Sequence, residues 1–537
     1  MKKVNENTKI KIKNILKSID NDIFNEELNI YDTNCGMTNK SYCIELKNGT
    51  KYFLRLPGLG TEKLVNRLKE KEVYEALKKS NLNISDEVLY FNINGIKLTK
   101  YINHRKATFA DISTCMKSLK KLHDADIQEG RYFNLKSEIL YYEKLMKKSK
   151  YKDYEDVKEK VFALLDIVDK QPKRTCLCHI DPNVDNFCIV DNNEAKLVDW
   201  EYASLQDPML DLAMYIIYSN LNDEDIQRVI STYFGISYDN IPEETIQKIY
   251  IYCAAAGLLW SNWCEYKKSL GIDFGEYALN QYNFAKTISD YYYKNNVISE
   301  INKAIILAAG KGTRLSELTK DTHKALLLIN NKPIIEYTIE SLIKKNICDI
   351  TIVVGYRFSD FKYLVKKYQK EANIKFVYNE HYNVMNNVYS IGLALEHATI
   401  DNYVILDADQ LIQPSAIRKY ISYSGYSTYY SIEHNNEWQP IVKNSKIVNY
   451  LVSNATTGQY IRSLSYWRCY DIVKLLEFCM KEIDDYNLNI YWDEIPLRLY
   501  NDAFTLWTYN IKKDDIFEVD TIDDYNNAKE KLKERLK

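Results

Sequence analysis

Apolar and polar residues alternate through SYCIEL and KYFLRL on either side of Asn48-Gly49. This pattern predicts two paired strands joined by a type I′ turn. Leu64, Leu68, Val73 and Leu77 then recur near helical spacing between Thr61 and Ser80, before a strand-like EVLYF and a second hairpin turn at Asn94-Gly95. From about residue 107 the pattern is mostly helical. It is interrupted by TCLCHIDPNVDNFCIV and its partner AKLVDWEYA, which read as a hairpin around Asn192-Asn193. A polar stretch, Tyr291 to Asn302, leads into the apolar strand and Gly turn of KAIILAAG, which places a domain boundary near residue 298. Beyond it, the runs ITIVVGY, IKFVYN and YVILDAD alternate with helix-like stretches at Ile334–Lys345 and Ser359–Lys370. That alternation predicts a doubly wound parallel sheet, with ligands at the carboxyl ends of its strands.

A chain of 537 residues exceeds what one hydrophobic core supports, so two domains are expected, residues 1–297 and 298–537. With 46% hydrophobic and 27% charged residues, both have the makings of ordinary globular domains. The 72 basic and 74 acidic residues nearly cancel, which argues against a nucleic-acid partner. The opening MKKVNENTKIKIKNILKS lacks the apolar core of a signal peptide, and the apolar stretch near Ile249 to Trp260 is too short to span a bilayer. A soluble, cytoplasmic protein without membrane insertion is expected. Its eleven cysteines form no CxxC pair and read as reduced structural thiols.

In the first half, His179-x-Asp181-x4-Asn186 precedes Asp199-x-Glu201 on the next predicted strand. Phosphoryl transfer to an alcohol needs a carboxylate for the hydroxyl and oxygen ligands that hold Mg2+ against a triphosphate. Asp181 suits the base, Asn186 and Asp199 the metal, Glu201 a further metal or water-bridged contact, and His179 an orienting neighbour. Arg55, held by Glu70 on the following helix, suits the phosphates of ATP. Trp260 and Trp263 share a helix face, a placement that suits a packed core and also the aromatic recognition of a cation.

The stretches CGMTNKSY, FLRLPGLGTEKLVNR, CHIDPNVDNF and LVDWEYASLQDPMLDLA make residues 30–295 resemble the bacterial choline kinases of the aminoglycoside-phosphotransferase-like superfamily. The resemblance implies a two-lobed protein-kinase-like fold, with a small lobe to about residue 103 and a helical lobe after it. It also places Asn39 in the phosphate-covering loop and adds Tyr277 to Trp260 and Trp263 as a choline cage. The chain departs from the family pattern in that loop, where only Gly36 remains of a common Gly pair.

In the second half, LAAGKGTRL puts Gly310 and Gly312 directly after a strand, with Lys311 and Arg314 in the loop; it matches neither the Walker A nor the GxGxxG spacing. Freed backbone amides there can approach a phosphate chain, and Lys324 can reach the same phosphates. Asp407 and Asp409 end a strand, and Asp520 in FEVDTIDDY offers a second oxygen; Asp409 and Asp520 suit Mg2+. From about residue 302 the chain resembles the sugar-phosphate and choline-phosphate nucleotidyltransferases, a Rossmann-like α/β family. YNVMNNVYSI, NEWQPIV and NIYWDEI resemble the bacterial CTP:phosphocholine cytidylyltransferases in particular. The resemblance implies that Leu307, Ala309, Gly310, Gly312, Asn386 and Asn387 line the nucleotide, and that Trp438, Tyr491, Trp492 and Asp493 enclose the choline head.

Together these readings predict a bifunctional enzyme whose partners are small molecules: ATP and choline in the first half, CTP and phosphocholine in the second, with Mg2+ in both. Three rivals stand beside it. One uses ethanolamine or another amino alcohol, against which Trp260 and Trp263 argue. Another joins a small-molecule kinase to a sugar-phosphate nucleotidyltransferase, against which both candidate cages argue. The last is a nucleotide-binding scaffold without turnover, against which the intact acidic residues argue.

Overall fold

A computed structural model of the chain describes all residues except 1, 26, 34–38, 59, 191–193, 220, 313, 314, 316, 317, 433–436, 453–456, 488, 536 and 537. Gly36, Arg314 and the Asn192-Asn193 turn lie outside the described residues. The chain divides into two compact units, Met1–Tyr291 and Tyr292–Lys537. The helix Glu276–Lys294 runs across this division.

The first unit opens with a six-stranded antiparallel sheet, in spatial order Lys2–Lys3, Leu28–Asp32, Lys40–Leu46, Lys51–Leu56, Lys97–Lys100, Val88–Phe91. The Asn48-Gly49 turn differs from the type I′ expectation. Only Gly49 has a positive φ, +82°, and its N–H returns to the Leu46 carbonyl at 3.0 Å. This is a type I turn followed by a bulged glycine, which matches strand twist with one left-handed residue instead of two. Arg67–Ser80 is the helix that packs here, capped by the Asn66 side chain. Its buried face is built on Val73 and Leu77, whereas Leu68 points to solvent.

The rest of the unit is mainly helical, around the 27-residue helix Glu243–Ser269, which is buried along most of its length. Two short antiparallel pairs are set into it: Cys176–Cys178 with Ser204–Gln206, and Phe187–Val190 with Glu194–Leu197. All three residues of Cys176–Cys178 are buried, so both thiols serve as small apolar groups.

The second unit is built on a nine-stranded sheet. Lys303–Ala308, Asp349–Val354, Asn373–Tyr378 and Tyr403–Asp407 are parallel, with the first strand between the second and the fourth. Alternate residues of Lys303–Ala308 feed two cores, Ala304, Ile306 and Ala308 on one face and Ile305 on the other. Burial on both faces is what its continuous apolar run requires. The chain reverses direction across the sheet between Lys303–Ala308 and Tyr403–Asp407, the switch point at which open α/β sheets form a crevice. The remaining strands, from Gly425–Ser431 to Leu506–Asn510, make the sheet mixed: Tyr403–Asp407 pairs antiparallel with Gly458–Trp467. No helix among the described residues is long and apolar enough to cross a membrane.

Candidate functional sites

Asp181 and Asn186 sit in the loop between the two short strand pairs of the first unit. The Asn186 amide nitrogen donates to the Asp181 carbonyl at 2.8 Å and to Asp181 Oδ2 at 3.2 Å, which leaves the amide oxygen as its acceptor. Asp199 has a left-handed backbone, φ +64°, and its Oδ1 accepts from Arg55 at 2.8 Å. Burial and the neighbouring Asp199 push the Asp181 carboxyl well above the usual carboxylate range. Asp181, Asn186, Asp199, Arg55 and Asn39 all line one cleft of about 230 Å³. An oxygen-only set of Asn186 and Asp199 beside a carboxylate base fits Mg2+, a hard cation that prefers oxygen.

The loop is fixed from beneath by residues given no role from the sequence. Ile180 has φ +67°, strained for a β-branched residue. Asp211 holds it there, its two oxygens accepting the backbone N–H groups of His179 at 2.8 Å and Ile180 at 2.7 Å. His123 bridges Asp211 at 2.9 Å and the Tyr233 hydroxyl at 2.8 Å. His123, Cys178 and Asp211 bring their ligand atoms within 4.8 Å of one another, but these hydrogen bonds already occupy the His and Asp. His179 is buried and bonds the Val198 carbonyl through Nε2, beside Asp199.

Arg55 meets Glu70 at 2.6 Å and Asp199 at 2.8 Å. Arg67, which ends one of the quoted motif stretches, joins the network by binding Glu70 and Glu201 at 2.8 Å each. Asn39 donates to Glu201 at 2.9 Å. Glu201, expected as a metal or water-bridged contact, is buried, and Arg67 and Asn39 both donate to its Oε2.

Trp260 and Trp263 pack edge-to-face at 5.8 Å, both buried. Tyr202 and Tyr218 lie against Trp260 at 5.4 and 5.7 Å, and Phe274 lies between Trp263 and Tyr277 at 4.9 and 6.5 Å. Burial above all raises the phenols of Tyr202, Tyr218 and Tyr277, and Asp181 adds to the rise in each, so these three hydroxyls lie on the side of the candidate base. The buried Tyr218 hydroxyl works against the upward shift of Asp181 without closing a hydrogen bond of normal geometry.

In the second unit, a cleft of about 440 Å³ opens at the switch point. It is lined by Leu307, Ala309, Gly310, Gly312, Lys324, Asn386, Asn387, Asp407, Asp409, Tyr491 and Asp520. Gly312 has φ +63°, and a Cβ there would crowd Lys324 Cβ at 3.0 Å, so both backbone and space favour glycine. Gly310 shows no such demand; its carbonyl accepts from His323 Nε2 at 2.8 Å. His323 Nδ1 accepts from the Ala325 N–H, which assigns the proton to Nε2 and ties the glycine loop to the turn bearing Lys324. Burial lowers the His323 pKa to about 4. Lys311 is exposed on the loop.

Lys324 Nζ lies 2.7 Å from Asp409 and 2.5 Å from Asp520. Asp409 Oδ1 is buried without a partner. An orphaned carboxylate oxygen beside a second carboxylate fits Mg2+. Asp407 is pushed well above the carboxylate range by burial and Asp409. Asn386 and Asn387 brace the segment below them: Asn386 donates to the Asn489 carbonyl at 3.1 Å and Asn387 accepts from Trp492 N–H at 2.9 Å.

The expected aromatic enclosure is redistributed. Trp492 belongs to the hydrophobic core, 3% exposed and packed on Trp467 and Tyr426, because its side chain points inward from its turn. Trp438 instead stacks on Tyr450 at 4.0 Å and meets Tyr491 edge-on at 5.9 Å. Tyr450 was given no role from the sequence. Glu494 gathers this group, accepting from Tyr450 at 3.3 Å, Tyr491 N–H at 2.9 Å and Arg498 at 2.5 Å. Asp493 accepts from Tyr426 at 2.9 Å, and burial raises its pKa to about 7.

Residues 30–253 match the family model for choline/ethanolamine kinase, and residues 303–436 match that for nucleotidyl transferase. The choline-phosphate cytidylyltransferase of Haemophilus influenzae is 37% identical over 232 residues, covering 43% of this chain and 97% of that protein. Protein LicA of Haemophilus influenzae is 27% identical over 271 residues, 46% of this chain and 97% of that protein. The solved choline kinase LicA from Streptococcus pneumoniae aligns with 29% identity and a TM-score of 0.47, covering 53% of this chain and 100% of that one. The chain therefore belongs, through its second half, to the choline-phosphate cytidylyltransferases of the nucleotidyl transferase family, and carries before it a choline/ethanolamine kinase half, one polypeptide with two transferase activities.

Proposed function

We propose that the chain makes CDP-choline from choline in two steps. In the first, the hydroxyl oxygen of choline attacks the γ-phosphorus of ATP; its proton passes to Asp181 and ADP leaves. In the second, a phosphate oxygen of phosphocholine attacks the α-phosphorus of CTP in line, and pyrophosphate leaves. The second nucleophile is already anionic, so that half needs no base. Its work is positioning and electrostatics, with Lys311, Lys324 and, outside the described residues, Arg314 as counter-charges to pyrophosphate. Mg2+ would be held by Asn186 and Asp199 in one half and by Asp409 and Asp520 in the other, where it offsets polyphosphate charge.

The observation that carries this reading is that each half sets its carboxylates beside an aromatic group: Asp181 against Tyr218 and Trp260, and the Asp409 cleft against Tyr491 and Trp438. Aromatic faces suit a trimethylammonium, and the named relatives act on choline phosphate and choline. A cytoplasmic location accords with the soluble families matched.

Phosphorus NMR of the purified chain with Mg2+, ATP, CTP and choline should show phosphocholine first, then CDP-choline and pyrophosphate. Asp181→Ala should abolish only the first step and Asp409→Ala only the second, each by about 10³-fold or more. Consumption of ethanolamine with choline untouched would overturn the substrate assignment.

A further inference from the structure

Lys324 spans the two carboxylates assigned above to the divalent cation, and its side chain is 10% exposed against 25% and 29% for Asp409 and Asp520. Its stem lies across the glycine loop, against Gly312. The ammonium thus stands between the loop that would receive a polyphosphate and the oxygens that would receive a metal. Lysine is a point charge on a flexible stem, so it can exchange one anionic partner for another without rebuilding the site.

We propose that Lys324 is a stand-in cation: without substrate it neutralises Asp409 and Asp520 and opposes metal binding, and the CTP polyphosphate draws it away, so that metal and nucleotide bind as a coupled pair. The competition follows from charge. A divalent ion entering beside a resident ammonium meets repulsion at short range and finds carboxylate lone pairs already engaged. A triphosphate carries more negative charge than the two carboxylates and gives the ammonium a better partner. By linkage, whatever CTP adds to metal affinity, metal adds to CTP affinity. This inference rests on the reading of the second half as a CTP-dependent nucleotidyltransferase.

The test uses Mn2+ as the probe, with free Mn2+ followed by electron paramagnetic resonance, on the full-length chain carrying Asp199→Asn in every sample to silence the first half. Without nucleotide, Lys324→Met should bind Mn2+ about tenfold or more tightly than the parent, and Lys324→Gln should behave alike. Lys324→Arg, which keeps the charge, should stay near the parent. Added CTP should raise the parent's Mn2+ affinity by a larger factor than that of Lys324→Met. Asp409→Asn separates the two failures. If Asp409→Asn takes up Mn2+ with CTP as the parent does, the reading of the site is wrong. If Asp409→Asn abolishes that uptake while the neutral Lys324 variants bind Mn2+ alone no better than the parent, the stand-in role is overturned and the reading survives.

Discussion

In the first half the cation beside the candidate carboxylates is Arg55, 2% exposed and shared between Glu70 and Asp199, with Glu201 at 3.7 Å and Arg67 behind it. In the second it is Lys324, which touches two carboxylates that are each a quarter or more exposed. A planar guanidinium held on several sides is part of the framework; a single ammonium at the edge of a cleft can leave. The sharpest way to break this comparison is to remove each cation. Arg55→Ala leaves buried Glu70 with Arg67 alone and takes the cation from Asp199; it should cost about 3 kcal/mol of stability, read as a lowered urea midpoint for the unfolding of the first half by tryptophan fluorescence. Lys324→Ala leaves two carboxylates that water can reach and should cost less than Arg55→Ala, while cytidylyl transfer falls by roughly 100-fold. Equal losses of stability would show that Lys324 is framework too.

The two nucleotide clefts also differ in how their loops are tied down. Beneath Asp181, the carboxylate of Asp211 holds two backbone N–H groups; beneath Lys324, neutral His323 does the joining. The folded pKa of His323, about 4, lies below the 6.5 of an exposed imidazole. Below pH 6.5 the unfolded chain therefore accepts a proton that the folded chain refuses. The stabilisation is complete above 6.5 and drains away as pH falls towards 4. Between pH 7.5 and 5 this amounts to about 2 kcal/mol. His323→Gln keeps a donor for Gly310 but does not titrate. The urea midpoint for loss of cytidylyl transfer should therefore fall more steeply with acid in the wild type than in the variant. Parallel curves would mean that His323 takes up its proton in the fold as readily as in the unfolded chain.

Much of both sites was legible because their chemistry sits at short spacing or at strand ends. Asp181 and Asn186 share one loop, and Asp409 lies two positions beyond Tyr403–Asp407, a run whose apolar pattern marks it as a central strand. What stayed hidden came from residues distant in sequence. Arg67 reaches Glu201 across 134 positions, and Tyr450 meets Trp438 only because their strands pair. The resemblance set Trp492 at the choline head, where the structure buries it in the core; a tryptophan suits a core and a cation cage equally. The Asn48-Gly49 turn was misassigned for a related reason: Asn-Gly permits two left-handed residues but does not require them.

The redistributed aromatic group gives a smaller test. Trp438 is half-buried and stacked on Tyr450, whereas Trp492 is enclosed by Trp467 and Tyr426. If the open stack receives the cationic head, Trp438→Ala should raise the KM for phosphocholine about tenfold with little change in kcat, the scale of one cation–π contact. Trp492→Phe should leave that KM unchanged. A reversed pattern would return Trp492 to the binding surface.

The smallest expected effect concerns the Tyr218 hydroxyl. It is buried beside Asp181 and lowers that carboxyl's pKa, in opposition to burial and to Asp199. Tyr218→Phe removes this influence while keeping the ring against Trp260. The Asp181 pKa should then rise, and because the base must be ionised to accept the choline proton, the acid limb of kcat/KM for phosphorylation should move to higher pH. Turnover on the acid limb should therefore fall, with little change on the alkaline side. A uniform loss at every pH would mean that the hydroxyl supports packing alone, and the second half, which has no corresponding base, should show no shift in either case.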